Sequence, residues 1–300
     1  MTYKSGFIAV IGRVNVGKST LLNRVLGEKI LIVSNKPQTT RNKIRCIYTE
    51  PNLQAIFLDT PGIHKPLHRL GEQLVMNAFA AIGEVDQVWL VVEPGAHVGQ
   101  GEREIIAKLP PHAHVVLVVN KADLAPAEVQ QSTVAVYSTA YHFRAAFVVS
   151  AAVGQGVEEL MGHLRDTLPE GPQYYPEDMI IDQPERFVVA EIIREKILML
   201  TLDEVPHSTA VVVEAMKERD THVHVAATIF VERESQKGII IGRFGAMLKA
   251  IGTAARLDIE GLLGSHINLS LWVKVRKDWR SKAHELRALG YEHVKGRGKR

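Results

Sequence analysis

The sequence predicts an α/β domain with a mixed, mostly parallel sheet, followed by a smaller α+β domain. In the first half, continuous apolar runs alternate with helical segments, which is typical of a sheet covered on both faces. Residues 169–176 contain three prolines and one glycine, a composition that ends a helix and indicates a linker. Beyond it the pattern changes, so we place the first domain at residues 1–172, the linker at 173–185 and the second domain at 186–300.

The first domain is predicted from runs of alternating type. Strand-like runs lie at residues 7–11, 43–48, 53–58, 87–92, 114–120 and 146–149. Helix-favouring segments lie at residues 20–26, 71–81, 101–108, 127–141 and 157–168. A turn at residues 49–52 joins two of the strands and predicts an antiparallel hairpin. Residues 30–45 are polar and lack sustained periodicity, so we interpret them as a mobile loop.

A phosphate-binding loop is predicted between the first strand and the first helix. Residues 12–19 fit G-x-x-x-x-G-K-[ST], and strand, glycine loop and helix follow in the order that supports this motif. Glycine lets successive backbone N–H groups point at phosphate oxygens, and the helix N-terminus favours negative charge. Lys18 supplies charge for the outer phosphates. The candidate nucleotide ligands here are Gly12, Arg13, Val14, Asn15, Val16, Gly17, Lys18, Ser19 and Thr20.

A magnesium site is predicted opposite this loop. The Ser19 hydroxyl suits magnesium, which prefers oxygen ligands. A buried strand ends in Asp59, which is followed by Thr60, Pro61 and Gly62. Because the carboxyl ends of parallel strands face the ligand, the Asp59 carboxylate belongs beside the phosphate loop.

Two later strand ends predict a guanine site. Asp123 offers a carboxylate that accepts from both N1–H and the 2-amino group of guanine, and adenine lacks both donors. Asn120 is predicted to bond the base edge and the loop, while the Lys121 stem lies on the ring face. The small residues Ser150 and Ala151 follow the last strand, and their backbone N–H groups are predicted to reach the guanine oxygen.

These residues resemble, in order, the five motifs of the translation-factor-related GTPases. The matching positions are residues 12–19, Thr40, residues 59–62, residues 120–123 and residues 150–151. The resemblance implies GTP hydrolysis with magnesium and two nucleotide-sensing loops. It implies that Ser19, Thr40 rather than Thr39, and Asp59 bind the metal in the GTP state. It also implies that Lys18, Thr40 and Gly62 act in catalysis.

Two positions bear on the hydrolysis rate. Ile63 stands where Ras-like members have a glutamine that orients the attacking water, so the sequence resembles the branch with a hydrophobic residue there. Slow intrinsic turnover is therefore expected. Asn15 matches the loop asparagine that binds potassium in some of these GTPases, and a monovalent cation there could stabilise charge. The alternative is that Asn15 simply caps the loop, and both interpretations stay open.

The second domain is predicted to run helix, two strands, helix, glycine loop, helix, strand. Its segments are residues 185–200, 209–217, 222–232, 237–241, 242–245, 246–263 and 266–275. This order resembles the bacterial-type (type II) KH domain, and the alternative is an ordinary helix–turn–helix. The resemblance implies that the loop clamps a single-stranded RNA backbone. The candidate RNA-binding residues are Gly242, Arg243, Phe244, Gly245 and Lys249.

A GTPase domain followed by one KH domain resembles the Era family. Residues 38–41, 182–187 and 271–275 are similar to stretches characteristic of that family, and the resemblance runs nearly end to end. It implies binding to 16S rRNA near its 3′ end and a role in assembly of the 30S ribosomal subunit. It also implies loose association with the inner membrane. We expect a monomer that binds GTP or GDP.

Composition and charge limit the compartment and the partners that the protein can have. One cysteine, Cys46, excludes an internal disulfide and indicates a reducing compartment, and the start lacks a secretory signal pattern, so we expect a cytoplasmic protein. Residues 272–300 carry ten Lys or Arg against three acidic residues, within a net charge of +3. This basic tail is either a solvated unstructured end or a footprint for nucleic acid or an anionic membrane surface. Two alternative functions remain: an RNA-binding module with structural nucleotide, and a membrane-surface GTPase.

Overall fold

The computed structural model describes residues 2–34, 36, 39–63, 66, 68–219 and 221–291. Among these residues, no single helix is long and apolar enough to cross a membrane. One pair, residues 234–241 and 243–263, meets that criterion only when its two helices are counted together, and it is bent by 41°.

The first domain is built on a six-stranded sheet in the order β2-β3-β1-β4-β5-β6. The strands are β1 (Lys4–Ile11), β2 (Ile44–Glu50), β3 (Leu53–Asp59), β4 (Gln87–Val92), β5 (Val115–Val119) and β6 (Ala145–Val148). Only β2 is antiparallel to its neighbour, so the predicted hairpin and mixed sheet are present. The helices are α1 (Lys18–Leu26), α2 (Arg69–Ile82), α3 (Gln100–Ile106), α4 (Ala127–Ala140) and α5 (Val157–Thr167).

Apolar clusters cover both faces of this sheet. One contains Leu21 and Leu22 of α1 with Leu160 and Leu164 of α5. The other contains residues of α2, α3 and α4. The strand predicted at residues 7–11 begins earlier, at Lys4, because residues 4 and 5 pair in register with β3 although they are polar. Because all strands except β2 run parallel, their carboxyl ends lie at the same edge of the sheet.

The second domain has a three-stranded sheet in the order β7-β8-β9, with β8 and β9 parallel. Its strands are β7 (Ala210–Arg219), β8 (His222–Val231) and β9 (His266–Val275). Its helices are α6 (Glu185–Leu200), α7 (Glu234–Ile241) and α8 (Ala246–Leu263). One apolar cluster joins the helices to one face of the sheet. The predicted order of segments is confirmed, and α7 begins three residues before the predicted segment.

The basic tail folds back as far as residue 291. It forms a 3-10 turn (Trp279–Ser281) and α9 (Ala283–Ala288), so an unstructured end is the wrong interpretation for this part. Trp279 is fully buried and packs in a cluster with Leu70 and Leu74 of α2 in the first domain. Residues 292–300, which hold the rest of the predicted footprint, lie outside the described residues.

Candidate functional site

The phosphate loop lies between the end of β1 and the start of α1. Gly17 has a φ of 91°, and a Cβ there would lie 2.3 Å from Asn120 Nδ2, so glycine is required by both backbone and space. The Lys18 side chain turns back over the loop, and its Nζ donates to the carbonyls of Gly12 at 3.3 Å and Arg13 at 2.8 Å. Burial lowers the pKa of Lys18 to about 8, while the nearby Asp59 opposes that shift.

Three predicted metal ligands meet at one point. Ser19 Oγ donates to Asp59 Oδ2 at 3.0 Å, Thr40 Oγ1 donates to the same oxygen at 3.1 Å, and the two hydroxyls are 3.1 Å apart. Burial raises the pKa of Asp59 to about 6, and Lys18 opposes the rise. The other oxygen, Asp59 Oδ1, is buried without a hydrogen-bond partner among the described residues. A set of hard oxygen ligands with one unsatisfied carboxylate oxygen fits magnesium.

Thr39 and Thr40 have different surroundings, which bears on the choice between them. The Thr39 hydroxyl donates to the Lys36 carbonyl at 2.7 Å, within its own segment. Only the Thr40 hydroxyl of the two is bonded to Asp59. The structure therefore brings Thr40, rather than Thr39, to the candidate metal site.

The segment after Asp59 packs closely on the phosphate loop. A Cβ on Gly62 would lie 2.7 Å from Val14 Cα, so any larger residue would force the two backbones apart. Thr60 Oγ1 donates to the Val10 carbonyl at 2.7 Å, and the following proline is buried beside it. Ile63 is only 8% exposed and packs in the apolar cluster on the α2 side of the sheet. Its side chain thus has a packing role and offers no polar group to water.

The predicted base loops are joined to one another by Asn120. Its Nδ2 donates to the Val16 carbonyl at 2.9 Å, and its Oδ1 accepts from the Ala151 N–H at 2.9 Å. The predicted contact with the loop is therefore present. Because both ends of this buried amide are engaged, its main effect here is to hold the phosphate loop and the residue-150 loop together.

The predicted base position has an accessible carboxylate at Asp123. Asp123 is exposed, and its Oδ1 accepts from Ser150 Oγ at 2.5 Å. The Lys121 ammonium pairs with Glu93. The backbone N–H of Ser150 donates to the Gln155 carbonyl at 2.9 Å. In this arrangement the N–H groups of residues 150 and 151 are used within the protein, so a guanine oxygen would have to share one of them.

A cavity of about 100 Å³ lies at the phosphate loop. Its lining residues come from the phosphate loop, the segment before β2, the loop after β3 and the loop after β5; they are Val14, Asn15, Gly17, Lys18, Ser19, Thr20, Ile32, Val33, Ser34, Thr39, Thr40, Gly62 and Lys121. Asn15 lies at this cavity with a φ of 65°, a backbone conformation that asparagine tolerates better than most residues.

Comparison with known proteins decides the family. Residues 7–121 match the family described as "50S ribosome-binding GTPase", and residues 204–280 match the KH domain. The chain is 52% identical to GTPase Era of Geobacter metallireducens over 96% of this chain and 98% of that one. It is 50% identical to GTPase Era of Alkaliphilus oremlandii over 97% and 100%. The chain belongs to the Era GTPase family.

Solved members of the Era family share the whole fold. One is a crystal structure of Era with MgGDPNP and nucleotides 1506–1542 of 16S ribosomal RNA, 39% identical, with a TM-score of 0.92 over 96% of this chain and 99% of that one. A substituted form of Aquifex aeolicus Era bound to GDP·AlF4⁻ matches equally well, with the same TM-score, identity and coverage. The predicted fold class, a P-loop GTPase domain followed by a KH domain, is confirmed. The chain is a GTPase, and guanine nucleotide with magnesium fits it.

The glycine loop of the KH domain lies between α7 and α8 as predicted. Gly242 and Gly245 have φ values of 72° and 78°, and Phe244 between them has a φ of 50°. Phe244 is 95% exposed, and the Arg243 guanidinium lies 5.3 Å from its ring centroid. A bulky residue at positive φ on an exposed loop is unusual, and such strained positions are common at binding sites.

A groove of about 400 Å³ begins at this loop and follows α8 toward β9. Lys249, which was predicted, lines it, and so do Thr253 and Arg256, which sequence reasoning missed. The signal was available, because positions 249, 253 and 256 fall at helical spacing on one face. Leu269 and Leu271 of β9 form the apolar wall.

Sequence reasoning also missed the role of Arg41. The sequence marks Arg41 only as part of the family-like stretch 38–41, yet its side chain is fully buried and enters the KH domain. No local pattern signals this contact, since the residues that it meets lie more than 160 positions along the chain.

Proposed function

We propose that this GTPase binds 16S rRNA near its 3′ end and acts as a nucleotide-controlled switch in assembly of the 30S subunit. The proposal depends on the presence of two sites in one chain. In the first, Ser19, Thr40 and Asp59 cluster beside a phosphate loop; in the second, a basic groove lies beside a KH glycine loop. A solved relative holds both MgGDPNP and an RNA segment of that region, which supports the same pair of ligands here.

The nucleotide site is proposed to work through the groups described above. Ser19, Thr40 and Asp59 would hold magnesium, which supplies positive charge to the β- and γ-phosphates when bound. Lys18 leaves its two carbonyl partners to contact the phosphates, and the Gly62 N–H meets the γ-phosphate. Asp123 reads the guanine edge, and Asn120 keeps the two base loops against the phosphate loop.

Hydrolysis is proposed to be slow without an activating partner. The buried Ile63 cannot orient the attacking water, so positioning depends on backbone groups and on charge stabilisation. Asn15 lies at the cavity, where a potassium ion could supply that charge. Turnover in potassium and sodium at equal ionic strength tests this: faster turnover in potassium supports a cation role, and equal rates leave Asn15 as a loop residue only.

RNA is proposed to lie along the groove beside α8. The backbone of residues 242–245 and the α8 N-terminus would meet the phosphates, with Arg243, Lys249 and Arg256 adding charge. Unpaired bases would pack on Leu269 and Leu271.

Binding of a 16S 3′-end RNA oligomer, measured with its scrambled counterpart and at two salt concentrations, tests this function. Tighter binding of the natural sequence supports it, and equal binding of both would leave a nonspecific nucleic-acid contact.

We also propose that the protein is a monomer and that it makes peripheral contact with a membrane. The membrane contact depends on the basic tail, whose last nine residues, 292–300, lie outside the described part of the chain. Flotation with anionic and neutral liposomes at one salt concentration tests it: flotation with anionic vesicles alone supports an electrostatic contact.

A further inference from the structure

The segment around Thr40, which we call the switch segment, is anchored to the KH domain by the next residue, Arg41. Arg41 is 1% exposed, and its Nη1 donates to the Thr209 carbonyl at 2.5 Å and to Tyr291 Oη at 3.2 Å. Its Nη2 donates to the carbonyls of Pro206 at 3.2 Å and His207 at 3.1 Å. Both terminal nitrogens of the guanidinium therefore bond to the second domain.

An aromatic surface completes the Arg41 pocket. The guanidinium carbon lies 5.9 Å from the Trp279 ring centroid, and Trp279 stacks on Tyr291 at 5.6 Å. The Trp279 Nε1 itself donates to the Ser208 carbonyl at 3.0 Å. Because the pocket combines carbonyl acceptors with an aromatic face, it suits the planar fork of arginine and would suit lysine poorly.

The same segment has further contacts with the KH domain on the other side of Thr40. The Arg194 guanidinium of α6 donates to the Thr39 carbonyl, and the Lys36 ammonium donates to the Thr201 carbonyl. The buried Glu195 accepts from the N–H of residue 33 at 3.0 Å. Residues on both sides of Thr40 are thus fixed by the second domain, so the position of its hydroxyl depends on that domain.

We propose that Arg41 is a positioning residue, through which the KH domain places the Thr40 hydroxyl for magnesium and GTP. The proposal rests on the proposed metal role of Thr40 and goes beyond it, because it makes the second domain part of the nucleotide site. Thr40 senses the triphosphate state, whereas GDP binding depends on the phosphate loop and the base loops. Loss of the Arg41 anchor should therefore weaken triphosphate binding selectively.

The anchor also has a thermodynamic consequence. If the docked KH domain strengthens binding of magnesium and GTP by some factor, then GTP strengthens docking of the KH domain by the same factor. The switch segment is thereby coupled to the domain that carries the proposed RNA groove. This coupling does not require direct contact between RNA and nucleotide. Removal of the Arg41 side chain breaks this coupling, because the carbonyls of residues 206, 207 and 209 then lose their shared donor.

The test compares Arg41→Ala with the unmodified full chain. Equilibrium Kd values are measured for GDPNP with saturating magnesium and for GDP. We expect GDPNP affinity to fall about tenfold, as loss of several buried hydrogen bonds implies, while GDP affinity stays within about twofold. The magnesium concentration for half-maximal GDPNP binding should rise, a shift that simple destabilisation would not produce.

Two further variants keep the result interpretable. Arg45→Ala is the matched control, because Arg45 is half-exposed on β2 and pairs with Asp182 of the linker at 3.0 Å; it should leave both affinities unchanged. If Arg41→Ala fails to fold, Arg41→Lys keeps the charge without the fork and should still lose GDPNP affinity selectively.

Four outcomes are decisive. Selective loss of GDPNP binding supports the positioning role. Equal loss for GDPNP and GDP, or no loss for either, overturns it. Failure of the unmodified chain to bind GDPNP with magnesium would instead contradict the proposed nucleotide function, which separates the two proposals.

Discussion

The nucleotide site and the RNA groove differ in how they are built. Lys18, Asp59 and Asn120 are buried, and each is held by hydrogen bonds to another part of the site. In the KH loop, none of the residues 243–245 is buried, and Phe244 extends into solvent. The first site is preorganised and depends on close geometry, whereas the proposed RNA site offers exposed charge and an exposed aromatic ring. Substitutions should therefore have large, geometry-dependent effects at the nucleotide site and smaller, salt-dependent effects at the groove.

The largest effect is expected at Lys18, the buried cation of the nucleotide site. Lys18→Ala removes the charge that faces the outer phosphates and should reduce GTP turnover by about 10³-fold. Single-turnover hydrolysis of labelled GTP measures the change. With both chains free of nucleotide, the RNA affinity of the variant should match that of the unmodified chain, and a large loss of RNA binding would break the contrast between the two sites.

Base selection gives the next largest effect. Asp123→Asn replaces one acceptor oxygen by a donor, so GTP affinity should fall about a hundredfold while xanthosine triphosphate binds better. Competition between the two nucleotides measures the exchange of preference. A variant that still prefers GTP would place the base contact on another residue.

Substitution of Phe244 tests whether an RNA base stacks on the KH glycine loop, and it does so without changing the charge of the protein. Phe244→Ala should weaken binding of single-stranded RNA about tenfold, since stacking of one base contributes roughly 1–3 kcal/mol. Its dependence on salt should stay the same, because no cation is removed.

Leu257→Ala is a matched control for Phe244, because Leu257 is an exposed apolar residue of α8 that lies away from the KH glycine loop. Equal losses for the two variants would contradict a specific stacking role. An unchanged melting temperature of Phe244→Ala would confirm that this side chain contributes nothing to packing.

The smallest effect is expected for single cations of the groove. Lys249→Ala should weaken RNA binding about threefold at low salt and reduce the slope of log affinity against log salt by about one. Arg144→Ala removes an exposed cation of the first domain and should leave both quantities unchanged. A loss at Lys249 that persists at high salt would point to direct base recognition instead of a phosphate contact.

The elements that the sequence predicts well are those encoded within a few positions. The phosphate loop follows from the fixed spacing of Gly12, Gly17 and Lys18 between a strand and a helix, and Lys249 follows from its place one turn after the KH glycine loop. These patterns carry their own geometry, so the fold and the closeness of Ser19 and Asp59 could be expected, whereas Thr40 is expected there only from the family resemblance.

The contacts that could not be predicted join distant parts of the chain. Arg41 meets Tyr291 across 250 positions, and neither residue lies in a periodic pattern that names the other. The charged composition of the tail gives no sign of Trp279, a buried residue that packs between the domains. Arg280 pairs with Glu232 inside the KH domain, so part of that charge is neutralised before any ligand arrives. Tertiary packing decided these cases, and local sequence carries little information about it.

Affinity for the 16S 3′-end RNA in the two nucleotide states tests the central claim most directly. The full chain is measured with magnesium and GDPNP, and again with magnesium and GDP, at one salt concentration. Because the switch segment is fastened to the KH domain, we predict RNA binding at least about fivefold tighter with GDPNP. Equal affinity in both states would contradict the account, since the two sites would then share a chain without being coupled.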